Sequence, residues 1–231
     1  MQKTRKMKLY KYGITLERLK EADIELVRQW RNSDPVRLNM AYREIISPGQ
    51  QLEWFRSVNN LDNNYLMICY KGEKIGLLND KNVDWEARTS ESGLFLGRTE
   101  FYATYVPYLV SVAGIEATFY FLNWNKQFAH ILRDNARAIS YNTQLGYRLC
   151  PDQEEAENQR YELTREGFEQ TAGRIRKAVR RLAGDELKTA LLLEPEDYQS
   201  GLAMRYESLL AAYPLPLRRD EDAAGVWFRE E

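Results

Sequence analysis

The residues best placed to do chemistry run from Asn135 to Tyr147, NARAISYNTQLGY. An apolar run, Phe128 to Leu132, precedes them, followed by a charged turn at Arg133-Asp134. Asn135 sits where a helix cap belongs, because its short side chain can accept from the first free backbone N–H groups. Gly146 sits where that helix must stop, since a left-handed residue costs glycine nothing. A strand feeding a capped helix leaves bare N–H groups and a partial positive charge at a sheet edge. Such a place suits an anionic or amide-rich ligand. The competing reading is an ordinary strand, helix and turn with a good cap.

Other reactive residue types are scarce. Cys69 and Cys150 have no motif partner, and His130 is the single histidine. They offer no usual zinc spacing, so no metal is expected, and neither is a triad built on His130. His130 lies in the apolar run and reads as a satisfied strand residue. Unpaired cysteines fit a reducing cytoplasm. A net charge of −1 gives no bulk electrostatic case for nucleic acid. A hydrophobic fraction of 44% is enough to build a core.

The elements that must position these residues can be read along the chain. Lys3, Arg5, Lys6, Lys8 and Lys11 make residues 1–12 a basic arm, expected to be solvated. No apolar run follows, so the arm does not read as a secretory signal. Ile14–Leu19 alternates as a half-buried strand does. Asp23 is expected to cap a helix from Ile24 to Arg31, which Asn32-Ser33-Asp34-Pro35 breaks. Ser47-Pro48 opens a second helix, with Leu52, Phe55 and Val58 inward. Tyr65–Tyr70, a strand from Lys74, and Ser90–Leu96 form an antiparallel meander. Phe101–Trp124 carries Glu116 as its only charge, long enough for a membrane span by length alone. Glu116 near its middle and no flanking basic cluster favour a helix buried under a sheet, starting near Pro107. Arg148–Cys150 and Arg160–Leu163 read as a terminal strand pair, and residues 165–183 as a basic helix. Residues 185–231 are acidic, with a helix expected over Glu196–Tyr213 and ended by Pro214 and Pro216. That tail could dock on the basic helix within the chain, dock in a homodimer, or stay solvated. The order is β, α, α, three strands, α, β, α, β: an α+β layout with one late parallel crossover.

The stretch Asn135–Tyr147 resembles motif B of the GNAT acyltransferases, N-x-x-A then L-G-[FY], filled by Asn135, Ala138, Leu145, Gly146 and Tyr147. The element order is that of the GNAT fold: a mixed antiparallel and parallel central sheet flanked by helices, here with a C-terminal helical extension. Three more stretches are similar to the PseH-like branch, which acetylates amino groups on nucleotide-linked sugars: Trp30-Arg31-Asn32 with Met40, Ile46 through Trp54-Phe55, and Gly76 through Asn82-Val83-Asp84 to Glu91-Ser92-Gly93. RimJ and RimL, which acetylate protein N-termini, share part of the pattern. The likeness spans residues 14–164.

The resemblance implies acetyl-CoA as co-substrate and a small amine, such as a nucleotide-linked amino sugar, as acceptor. It implies a base at Glu91, with Gly93, Leu94, Phe95 and Leu96 lining pantetheine by backbone pairing. Asn135, Ala138 and Asn142 would contact the cofactor. The phosphate loop, [QR]-x-x-G-x-[GA], falls on Arg98–Ala103, with Arg98 and Ala103 at its ends and Phe101 at a glycine position. Asn142 stands where a tyrosine often protonates the thiolate, and Tyr141 is the nearest alternative acid. Arg31, Met40, Trp54 and Asn82 would hold the acceptor, with Gln51 at the histidine of H-x-x-W-F. A GNAT-like binding module without catalysis and a protein N-terminal acetyltransferase stay open as alternatives.

Overall fold

The structure is a computed structural model that describes residues 7–184, 186–212 and 216–231. A hairpin, β1 (Lys8–Lys11) and β2 (Ile14–Arg18), leads into α1 (Ile24–Asn32), α2 (Asp34–Arg37) and α3 (Pro48–Val58). The meander is β3 (Asn64–Tyr70), β4 (Glu73–Asp84) and β5 (Thr89–Leu96). Helix α4 (Val106–Glu116) runs on as a π-helical stretch, Ala117–Phe121. Then come β6 (Lys126–Leu132), α5 (Ala136–Gln144), β7 (Arg148–Leu149) and β8 (Asn158–Thr164). The chain closes with α6 (Arg165–Thr171), α7 (Gly173–Ala183), β9 (Ala190–Leu193), α8 (Pro195–Gln199), α9 (Leu202–Ala212), β10 (Leu217–Asp222) and β11 (Gly225–Glu230).

Among the described residues eleven strands form one sheet, in the order β10-β11-β9-β1-β2-β3-β4-β5-β6-β8-β7. Only β5 and β6 pair in parallel. Period-two alternation sends side chains to two faces. On β3, Leu66 and Ile68 enter the main core with α4, while Met67 enters a second core with Val27 and Trp30 of α1 and Phe55 of α3. On β4, Leu78 joins the first core and Leu77 the second. The sheet is therefore covered on both faces, which is the mixed α+β layout the element order implies.

Several local readings hold, and several change. Ser47 forms a full capping box with Gln50 at the start of α3. Asp23 makes no side-chain cap; its carboxylate binds Lys74 instead. The arm is partly sheet: β1 pairs with β2 and β9, and Met7 and Leu9 are buried. Its charges did not forbid this, because Lys11 is buried with Thr189 Oγ1 at 2.8 Å and the Leu187 carbonyl at 3.2 Å. The basic helix is two helices, α6 and α7, divided at Ala172. The acidic extension is not simply helical. It adds β9, β10 and β11 to the sheet, because Leu191, Leu193, Val226 and Phe228 carry enough apolar surface to continue the main core. The helix expected over Glu196–Tyr213 splits into α8 and α9 at Gly201, whose φ is +81°. Tyr213 and Pro214 lie outside the described residues.

Glu116, the lone charge of the apolar stretch, faces a buried polar knot. It accepts from Tyr12 Oη, Arg176 Nε at 2.8 Å and Arg180 Nη2 at 3.3 Å, and Lys11 Nζ stands 3.7 Å away. No helix among the described residues is long and apolar enough to cross a membrane.

Candidate active site

The site begins where a strand pair comes apart. β5 and β6 pair at Thr89–Lys126, Ser90–Gln127 and Glu91–Phe128, and there the ladder stops. β5 continues with β4 as far as Leu96–Gly76, and β6 continues with β8 as far as Leu132–Asn158. Each strand keeps its outer partner, so the two diverge. A cleft of about 1450 Å³ opens between them and extends to α1, α3, α4 and α5. Gly93, Leu94, Phe95 and Leu96 line one wall; Ala129, His130, Ile131 and Leu132 line the other. The backbone N–H and C=O groups on these facing edges have no strand partner across the gap, which suits a ligand with its own amides. Gly97 lets Trp30 close over the end of β5, since a Cβ there would stand 2.0 Å from the Trp30 ring.

Helix α5 starts against the cleft. Asn135 accepts from Ala138 N at 3.0 Å, the cap expected of it, and Gly146 at the other end has φ +102°. Asn135, Arg137, Ala138, Tyr141 and Asn142 all line the cleft. Asn142 Nδ2 donates back to the Ala138 carbonyl at 2.8 Å, so its amide is partly committed to its own helix. Tyr141 Oη donates to the Pro107 carbonyl at 2.8 Å and shares a 2.7 Å hydrogen bond with Ser111. Burial pushes its hydroxyl above the ordinary tyrosine range, Ser111 offsetting a part. The phenol ties α5 to α4 and has its proton engaged, a poor arrangement for a general acid.

The loop after β5 departs from the expectation for phosphate. Arg98 does not line the cleft: its Nε donates to Glu100 at 2.6 Å and its Nη1 pairs with Glu73 at 3.1 Å. Two carboxylates on the outer side outcompete the cleft for this guanidinium. Ala103 is also absent from the lining, while Tyr102 and Thr104 are part of it. Arg137, on α5, does line the cleft. It donates to the Tyr102 carbonyl at 3.1 Å and lies over the Tyr102 ring at 5.2 Å.

On the face toward α1 and α3 the lining is polar and aromatic. Arg31, Met40 and Trp54 line it, with Trp54 edge-on to Tyr65 at 4.9 Å. Asn82, at φ +51°, stays outside the lining and donates from Nδ2 to Glu91 Oε2 at 3.2 Å. Arg31 has neither ion pair nor hydrogen bond among the described residues, and its Nε is fully buried. Burial pushes this guanidinium below its ordinary value, Tyr65 offsetting a part. Gln51 is 3% exposed, lines the cleft, and has no partner for Nε2.

Glu91 sits at the fork itself. Its Oε1 meets Lys81 Nζ at 2.7 Å and His130 Nδ1 at 3.0 Å. Burial pushes the carboxyl up, but the hydrogen bonds from Lys81 and His130 outweigh it and hold it below its ordinary value. A base tuned toward neutrality needs the opposite shift, so Glu91 is ill suited to the role the resemblance implies. His130 was passed over as a strand residue. The signal available was register: Glu91 pairs with Phe128, so His130, two residues on, is its diagonal neighbour on the same face. Asp80 also lines the cleft. Burial raises its carboxyl to about 6, against hydrogen bonds from Ser90 Oγ and Gln127 Nε2, both at 3.0 Å. Among the described residues no group of three or more His, Cys, Asp or Glu side chains could hold a metal ion.

Comparison with solved structures adds one decisive observation. The described FdhC, a nucleotide-linked sugar GNAT in its apo form, superposes with a TM-score of 0.61 over 77% of this chain and 98% of its own, at 21% identity. The chain has the GNAT fold. Two further GNAT-fold enzymes agree: aminoglycoside acetyltransferase AAC(6')-Ib in complex with coenzyme A, at TM-score 0.58, 17% identity, 68% of this chain and 98% of its own, and spermidine N-acetyltransferase from Vibrio cholerae with CoA and spermine, at 0.57, 14%, 68% and 98%. At these identities the likeness is one of fold. No protein-family model and no curated protein matches the sequence. Within the GNAT fold, the forked strands and the helix capped by Asn135 make up the cleft just described.

Proposed function

We propose that this protein is an N-acetyltransferase that moves an acetyl group from acetyl-CoA to an amine on a small anionic acceptor, with a nucleotide-linked amino sugar as the class that fits best. The observation that carries the reading is the β5–β6 fork with unpaired donors on its acceptor side. Acetyl-CoA would supply the acetyl group as a thioester. The free edges of Gly93–Leu96 and Ala129–Leu132 fit an arm bearing two amides, which can pair as a short strand does. The start of α5, with Asn135 and Ala138, and the Arg137 guanidinium beside Tyr102 fit the phosphate end.

The acceptor side supports an anion. A desolvated guanidinium without a counter-ion is costly, and a diphosphate or carboxylate on the substrate would relieve it. Arg31 and Gln51 both present donors with no partner among the described residues, and Trp54, edge-on to Tyr65, adds an aromatic wall to the same cleft. The FdhC structure, a nucleotide-linked sugar GNAT, supports the same acceptor class. The branch resemblance to PseH-like enzymes includes Arg31 and Trp54, while Gln51 stands where that branch has a histidine.

Two measurements test this reading. Acetyl-CoA at about a hundred times its Kd should stabilise the fold by about 2.7 kcal/mol, read as a rise in Tm. Thiol release should be followed with a nucleoside-diphosphate amino sugar, kanamycin and spermidine as probes. The anionic probe should be preferred, and Arg31→Gln should raise its KM roughly tenfold or more, with the KM for acetyl-CoA unchanged. No Tm shift at millimolar acetyl-CoA would sink the proposal; equal use of the cationic probes would sink its acceptor class.

A further inference from the structure

We propose that His130 is the catalytic base of this site, with Glu91 as the residue that positions it. The inference rests on the acetyl-transfer reading above and deepens it. His130 stands on β6 two residues past the last β5–β6 pair, lines the cleft, and has a side chain 34% exposed. Its Nδ1 lies 3.0 Å from Glu91 Oε1. Glu91 is also held by Lys81 Nζ at 2.7 Å and Asn82 Nδ2 at 3.2 Å. An ionised carboxylate only accepts, so the imidazole must carry its proton on Nδ1 and its lone pair on Nε2. Nε2 has no partner among the described residues, which leaves it for the substrate.

The charged groups near the ring sit on identifiable elements, Glu162 of β8, paired with Lys126 at 2.9 Å, among them. Glu91 faces it from β5 and Lys81 from β4, and Arg160 is opposite it on β8, with its guanidinium over the Phe128 ring at 3.8 Å. Arg31 of α1 lines the same cleft. Lys81 fixes Glu91, and Glu91 fixes the ring, so His130 is a base held by a second residue in the manner of an oriented dyad.

The step balances without a further reactant. The amine nitrogen attacks the thioester carbonyl carbon, forming the C–N bond. The proton it loses goes to His130 Nε2. The C–S bond breaks with its electron pair leaving on sulfur, and the imidazolium gives the proton to that thiolate. The products are an amide and the free thiol, and His130 returns neutral. The same residue then supplies the acid that Tyr141, with its proton bound to Pro107, is badly placed to provide.

One readout needs no turnover. His130 is the only histidine in the chain, so a tag-free, 15N-labelled protein gives a single imidazole in an NMR spectrum. The expected state is the Nδ1–H tautomer, and Glu91→Gln should weaken that preference, because the carboxylate that only accepts is gone. In the thiol-release assay with the nucleoside-diphosphate amino sugar, His130→Gln should lower kcat roughly 10²–10⁴-fold while acetyl-CoA still raises Tm. In Glu91→Gln, kcat should fall while the KM for acetyl-CoA stays within about threefold of the parent. An Nε2–H tautomer, or a His130→Gln rate within about threefold of the parent, overturns the dyad alone. A parent protein that releases no thiol overturns the dyad and the proposed function together.

Discussion

Asp80 shows how a single residue can set a pH response without taking part in chemistry. Its carboxyl is raised to about 6 by burial, and Ser90 and Gln127 recover only part of that cost. A carboxyl raised in the folded state adds stability below its unfolded value, and this is lost as pH rises through the folded value. The window therefore runs from about pH 4 to about pH 6. Asp80→Asn keeps an acceptor for both donors and removes the charge. It should raise Tm at pH 8, by on the order of 2 kcal/mol of stability, with the gain fading by pH 4. Melting curves across that range check it; a gain that is uniform with pH would show that Asp80 is not the group responsible. Glu91 is the opposite case. Two donors hold it ionised, so its value to the site is a fixed charge beside His130.

At the scale of an element, α5 matters through its two ends. Asn135 satisfies the first turn and Gly146 turns the chain back into β7. A Cβ on Gly146 would stand 2.5 Å from the Gly167 carbonyl oxygen, in a conformation L residues rarely adopt. Asn135→Ala should cost about 1 kcal/mol, and Gly146→Ala more, since backbone must move as well. Both should weaken acetyl-CoA binding, because the helix start lines the cleft. Denaturant titration and a cofactor Kd check this pair. A Gly146→Ala protein as stable as the parent would contradict the packing described. The fork is an element-scale device too. It exists because β5 is bound to β4 and β6 to β8 more extensively than either is to the other.

Across the molecule, the C-terminal strands and the Glu116 knot join the GNAT-fold portion to the rest. β9 lies between β1 and β11, and Lys11, Tyr12, Arg176 and Arg180 converge on Glu116 from β1, the turn after it, and α7. Glu116→Gln would leave Arg176 without its carboxylate, while Lys11 keeps Glu230 at 3.6 Å. The expected loss is about 3–5 kcal/mol, which for a domain of this size lowers Tm by roughly 6 °C or more. Acetyl-CoA binding, measured below that temperature, should be retained, since the Glu116 side chain itself is not part of the cleft lining. A Glu116→Gln protein that melts like the parent would show that the knot is dispensable.

Local order was legible in the chain because it is set by neighbours in sequence. The alternation of Ile14–Leu19, the Ser47-Pro48 start, the meander, and the Asn135 and Gly146 ends all follow from side-chain period and backbone preference. So did the mixed sheet, through the sequence of elements. Charge misled: the basic arm read as solvated and the acidic tail gave no sign of strands, yet Lys11 and the residues around Leu191–Leu193 are buried once they meet each other. Only the tertiary structure decided the site's electrostatics. Arg98 turned to Glu73, Arg31 was left unpaired, and His130 met Glu91, since each outcome depends on distances between strands far apart in sequence. A side chain's type tells what it can bond; which partner it finds is settled only when the sheet closes and forks.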